Sequence, residues 1–166
     1  MSARRPGPGG GKSFIEVGGI AGAANGGMHG AYALPDLRGV SVLVVDDVVK
    51  DRGIMASMLE LAGAGALEVS FAAEAKLAIA QLRPDAVITE MALPDGTGMD
   101  LVRWIRRYDL AHQHGTVVVA VTQWTAEYPC EAARAAGFDG YFTKPPTTDD
   151  LVVGLSALLR TPRKPR

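Results

Sequence analysis

Residues 42–47 read VLVVDD, four apolar residues, three of them β-branched, followed at once by two carboxylates. A short apolar run without alternation fits a strand covered on both faces, as parallel strands are. AVITE (86–90), VVVAVT (117–122) and GYFTK (140–144) repeat the pattern and end in Glu90, Thr122 and Lys144, whereas EVSFA (68–72) is a fifth run with no such end. The runs predict strands near 41–46, 67–72, 86–90, 116–122 and 140–143. Between and after them, helical periodicity predicts helices near 50–63, 74–82, 98–107, 127–136 and 148–160. Met55, Met58, Leu59 and Leu61 give the first helix an apolar face, and Leu151, Val152, Leu155 and Leu158 do so for the last. Gly137 is placed to stop the fourth helix, and Thr147 or Thr148 to cap the fifth.

Strands alternating with helices imply an α/β fold with a parallel sheet. In such sheets ligands bind beyond the carboxyl ends of the strands. Asp46, Asp47, Glu90, Thr122 and Lys144 therefore share one edge as a consequence of topology.

The 166 residues, 48% hydrophobic and 21% charged, suit one globular domain. No apolar run is long enough to span a bilayer, the N-terminus lacks a signal-peptide core, and the single cysteine, Cys130, cannot form an internal disulfide. A cytoplasmic location is the expectation. The net charge of −1 is uneven: residues 38–159 carry 10 basic and 16 acidic side chains, a net of −6, while 1–37 add +1 and 160–166 add +4.

Residues 1–37 hold 10 of the 20 glycines and show no period longer than SFIEV, which predicts a flexible Gly/Pro-rich arm outside the core. GGGKS (9–13) is no phosphate loop, because the required first glycine is Pro6. The expected organisation is an arm over 1–37, a folded unit over 38–160 and a basic tail over 161–166.

VLVVDD, DAVITEMALPDGTGMDLV (85–102), VVAVTQ (118–123) and GYFTKP (140–145), in this order and at these separations, resemble the receiver domain of bacterial two-component response regulators. The resemblance implies a single flavodoxin-like domain, doubly wound, with five parallel strands in the order 2-1-3-4-5. Asp46 and Asp47 match the pair that binds Mg²⁺, and the Ala92 carbonyl matches the third protein ligand. Thr122 and Lys144 match the phosphoryl contacts, Tyr141 the aromatic that changes rotamer on activation, and Lys144-Pro145 a peptide bond often cis in the family. Glu90 stands where the family carries the phosphoaccepting aspartate.

A carboxylate can attack a phosphoryl group only if nearby positive charge offsets their repulsion, which Mg²⁺ and a lysine supply. Glu90 extends its carboxylate by one C–C bond, and a misplacement of about 1 Å can cost on the order of 10²-fold in rate. The expectation is an atypical or pseudo-receiver. Two arrangements are open: Glu90 pairs with Lys144 and leaves the site metal-free, or Glu90 joins Asp46 and Asp47 around Mg²⁺, relieving their mutual repulsion.

The implied function is a stand-alone, non-enzymatic signalling module with no DNA-binding domain and no membrane segment. Its partners would be a histidine kinase or phosphotransfer protein, a downstream protein target, or both, met through residues 127–160. The rival is a small Mg²⁺-dependent phosphohydrolase or phosphotransferase with an aspartate nucleophile at the first strand end, but those enzymes carry a DxD pair and here the second position after Asp46 is Val48. Asp95-Gly96 is expected to be a plain turn. His112 and His114 should be surface residues, Arg103, Arg106 and Arg107 the solvated face of a helix, and Trp124 a neighbour of the site. Cys130 follows Pro129 at a helix start, where a dipole can lower a thiol pKa, but with no paired cysteine or base evident it is expected to be structural or incidental.

Overall fold

The computed structural model describes residues 14–17, 33–123 and 126–162. In chain order the elements are β1 (Ile15–Val17), β2 (Ser41–Val45), α1 (Val49–Leu61), β3 (Gly65–Val69), α2 (Ala72–Leu82), β4 (Ala86–Thr89), β5 (Ala92–Leu93), β6 (Gly96–Thr97), α3 (Gly98–His112), β7 (Val117–Thr122), α4 (Cys130–Ala136), β8 (Gly140–Thr143) and α5 (Thr148–Arg160). The main sheet is parallel throughout, with the order β1-β8-β7-β4-β2-β3; β5 and β6 form a separate antiparallel pair.

Alternation along each strand splits the core in two. Val42, Val44, Ile88, Val119 and Phe142 face α1 and α5, where they meet Met55, Leu59, Leu151 and Leu155. Leu43, Val45, Val87, Val118, Ala120 and Tyr141 face the other helices and meet Ile79, Leu101, Ile105 and Ala133. Both faces of β4 and β7 are covered, so their sequences need no polar alternation.

The five expected strands are present in the expected order. A sixth, β1, comes from the segment read as arm: it pairs with β8, Ile15 packs against the core shared with α1 and α5, and Phe14 packs against the other. Three residues among glycines are too short to show a period, and the edge of β8 supplies what the segment lacks. Leu34 and Leu37, also read as arm, pack into that same first core, Leu37 N donating to Ala62 O at 2.8 Å; residues 1–13 and 18–32, the tail beyond residue 162 and Trp124 lie outside the described residues.

Boundaries moved where caps decide them. β3 ends at Val69 because Glu74 Oε2 accepts from the backbone N–H groups of Ser70 (2.9 Å) and Phe71 (3.2 Å), turning the chain into α2. α3 runs to His112 because the inward face continues through Asp109. α4 starts at Cys130, after Pro129, and ends at Gly137 in the left-handed region (φ 115°). Thr147 is the cap of α5, its hydroxyl accepting from Asp150 N at 3.1 Å.

Candidate functional site

The ladders carry the pocket side chains into place. Past the last paired residues of β2 and β4, Asp46 N donates to Val69 O (3.1 Å) and Glu90 N to Val45 O (2.9 Å). Past β8, Lys144 N donates to Thr122 O (2.9 Å). Asp46, Glu90, Thr122 and Lys144 thus sit at the carboxyl ends of neighbouring strands, and Lys144 precedes a cis bond to Pro145.

Lys144 is the hub. Its ammonium lies 2.6 Å from Asp46 Oδ2, 2.7 Å from Glu90 Oε2 and 3.1 Å from Asp51 Oδ2. An ammonium has three protons and no acceptor, so three carboxylates use its full capacity. The Asp46 side chain is fully buried, and those of Lys144 and Glu90 are 9% and 12% exposed. Asp46 is held further by Val48 N on Oδ1 (2.8 Å), while its carbonyl accepts from Arg52 (2.6 Å). Burial pushes the Asp46 carboxyl above the usual carboxylate range against the opposing pull of Lys144. Burial also works against the charged Lys144, but the hydrogen bonds to Asp46 and Glu90 outweigh it and the ammonium titrates above the ordinary lysine value.

Glu90 is committed at both oxygens. Oε2 meets Lys144, and Oε1 accepts from the backbone N–H of Met91 at 2.6 Å. The extra methylene gives the carboxylate enough reach to fold back on its own chain while holding the lysine. Of the two arrangements left open by the sequence, the structure has the Glu90–Lys144 pair.

The other expected site residues divide. Thr122 is 4% exposed, and among the described residues its hydroxyl has no hydrogen-bond partner. Tyr141 is buried on the side of α2, α3 and α4, with its hydroxyl donating to Tyr128 O at 2.9 Å. Asp47 is exposed and Ala92 opens the short strand β5. Among the described residues, no three His, Cys, Asp or Glu side chains are grouped as ligands for a metal ion. Asp46 and Glu90 are turned onto Lys144, whose ammonium is the cation their carboxylates face.

Sequence reasoning missed Asp51 and Asp95. Asp51 lies in the first turn of α1, which starts directly beyond the acid pair and so overhangs the edge. Asp95, expected to be a plain turn residue, accepts from Ala72 N (2.7 Å) and Ala73 N (2.9 Å), and those bonds hold its carboxyl below the usual range. It caps α2 from a distant loop, a contact invisible to local pattern.

One expectation is overturned. Arg106 is no solvated residue: its side chain is 13% exposed and binds Asp139 (2.7 Å), Asp109 (3.3 Å) and the carbonyls of Thr116 and Gly137. Cys130 is half-buried, and burial, then Glu16, push its pKa up to about 12. His112 stacks on Tyr108, with ring centroids 4.0 Å apart, and His114 lies 3.3 Å from Pro84 O.

The family model for the response regulator receiver domain matches residues 42–156. The phosphate regulon transcriptional regulatory protein PhoB of Pseudomonas aeruginosa is 32% identical over 74% of this chain and 52% of its own length; the chain thus spans about half of that relative. A receiver domain structure from Methylobacillus flagellatus is 28% identical, with a TM-score of 0.63 over 72% of this chain and 98% of that one. The receiver domain of a putative response regulator NarL from Mycobacterium tuberculosis, 21% identical, shares the fold with a TM-score of 0.67 over 75% and 99% of the two chains. Such domains are generally non-enzymatic signalling modules, and sequence family and fold agree: this chain belongs to the response regulator receiver domain family of two-component systems.

Proposed function

We propose that this receiver is a pseudo-receiver, its phosphoacceptor position held by Glu90 in a closed ion pair and its signal passed on through protein contacts. The observation that carries the reading is the 2.7 Å contact between Glu90 Oε2 and Lys144 Nζ, with Oε1 tied to Met91 N. A phosphoacceptor must offer a free oxygen to the incoming phosphorus, and Glu90 has none to offer without breaking a charge-assisted bond. The same pair places fixed negative charge beside Lys144, in partial imitation of a phosphoryl group, with one charge and two oxygens in place of about two charges and three oxygens.

Receiver domains typically bind Mg²⁺. In this reading Lys144 takes over the balancing of Asp46 and Glu90, and the affinity of the acid pair for Mg²⁺ is weakened. The partners are a histidine kinase or phosphotransfer protein and a downstream protein, with residues 127–160 as the contact region. A chain with one thiol and no helix, among the described residues, long and apolar enough to cross a membrane fits a cytoplasmic setting. The phosphohydrolase alternative is not favoured: Asp46, its nucleophile, has one oxygen on Val48 N and the other on Lys144.

Intact-mass measurement tests the reading. With a small phosphodonor and Mg²⁺, under conditions that preserve an acyl phosphate, Glu90→Asp is expected to gain the phosphoryl mass and the wild type not to. Equal uptake by both would overturn the proposal.

A further inference from the structure

The edge of β8 is the most unusual surface of this molecule, because the chain fills it with a piece of itself. β1 runs parallel to β8 with Ile15 opposite Gly140, Glu16 opposite Tyr141 and Val17 opposite Phe142, and Ile15 N donates to Asp139 O at 3.1 Å. Phe14 and Ile15 turn to opposite sides, each half-buried against a different core layer, and the Arg134 guanidinium lies 5.4 Å from the centre of the Phe14 ring. After burial, Glu16 is the next influence that raises the pKa of the Cys130 thiol.

The acceptor edge leaves room for this occupant. A Cβ on Gly140 would press on Leu158 Cδ1 and Phe142 Cε2 at 3.2 Å and meet Ile15 O at an ordinary 3.4 Å, so the glycine serves the packing of β8 and leaves the β1 backbone unhindered. Aromatic, aliphatic and acidic contacts follow in sequence order, as strand addition requires: backbone pairing for affinity and alternate side chains for specificity. A ladder of three residues is weak by itself, and the 16 residues between Val17 and Leu34 contain 6 glycines. Covalent connection to the domain raises the local concentration of the segment.

We propose that the outer edge of β8, between α4 and α5, is a strand-accepting surface for an extended Phe-Ile-Glu segment, and that Phe14–Val17 is its displaceable resident. A partner that docks by adding a strand here has to present the same aromatic, aliphatic and acidic order and displace β1. This inference stands apart from the chemistry of Glu90.

The test uses the full chain and the alkylation rate of Cys130, which is half-buried and whose thiol Glu16 of β1 influences. Ile15→Asp is expected to react with iodoacetamide about tenfold or more faster than wild type, since an uncovered thiol forms its thiolate more readily. An excess of the synthetic peptide KSFIEV should slow the variant back toward the wild-type rate, and a scrambled peptide should not. If the far-UV circular dichroism of Ile15→Asp departs from wild type, Phe14→Ser serves in its place, because that half-buried ring can be removed without touching the central strands. A variant rate equal to wild type, or no slowing by KSFIEV relative to the scrambled peptide, would overturn the proposal.

Discussion

Two buried charge clusters occupy opposite ends of the same sheet. At the amino ends of β7 and β8, one arginine serves two carboxylates; at the carboxyl ends, one lysine serves three. The first cluster is saturated. Arg106 spends its planar fork on Asp139, Asp109 and two carbonyls, and the acids also accept from Val118 N (2.9 Å) and from the Thr116 N–H and hydroxyl (2.9 Å each). The second carries excess negative charge, with Asp46 raised in pKa at its centre. A saturated cluster fastens elements together, whereas an unbalanced one is poised to respond to charge.

The largest effect is expected from breaking the saturated cluster. Arg106→Met leaves two carboxylates, 1% and 2% exposed, without a cation, and should cost about 3–5 kcal/mol of unfolding free energy in urea titration. A loss under about 1 kcal/mol would mean the cluster is no fastener. Lys144→Met should cost less, about 1–2 kcal/mol, because Asp51 is partly solvated and Asp46 and Glu90 keep their hydrogen bonds from Val48 N and Met91 N. If the two variants lose equal stability, the proposed contrast fails.

The pH dependence of Asp46 is a subtler contrast. Its folded pKa lies above the ordinary 3.8, so the folded state binds the extra proton. Its stabilising contribution is complete below the unfolded value and is lost as pH rises through the folded one, so the ionised group costs stability at neutral pH. Subtracting the stability–pH curve of Asp46→Asn from that of wild type should therefore give a difference that falls as pH rises through the carboxylate range. A flat difference would show that burial does not perturb Asp46.

These clusters also show what the sequence makes legible. Asp46, Glu90, Thr122 and Lys144 were readable because each follows an apolar run, so topology alone gathers them. Asp109 and Asp139 follow no such run; their partner Arg106 looks like any helical arginine until the fold brings residue 139 to it, 33 positions away. Asp51 joins Lys144 across 93 positions, and Asp95 reaches α2 across 22 and 23. β1 was hidden for another reason: its order comes from the β8 edge it lies on, and three residues carry no period of their own.

The central claim is that Glu90 is locked on Lys144, and nuclear magnetic resonance of lysine ammonium groups tests it most directly. In ¹⁵N-labelled protein at neutral pH, Lys144 should give a slowly exchanging Nζ signal, absent in Lys144→Met and displaced in Glu90→Gln. A Lys144 signal that exchanges like those of solvated lysines, or that Glu90→Gln leaves unmoved, would contradict the account.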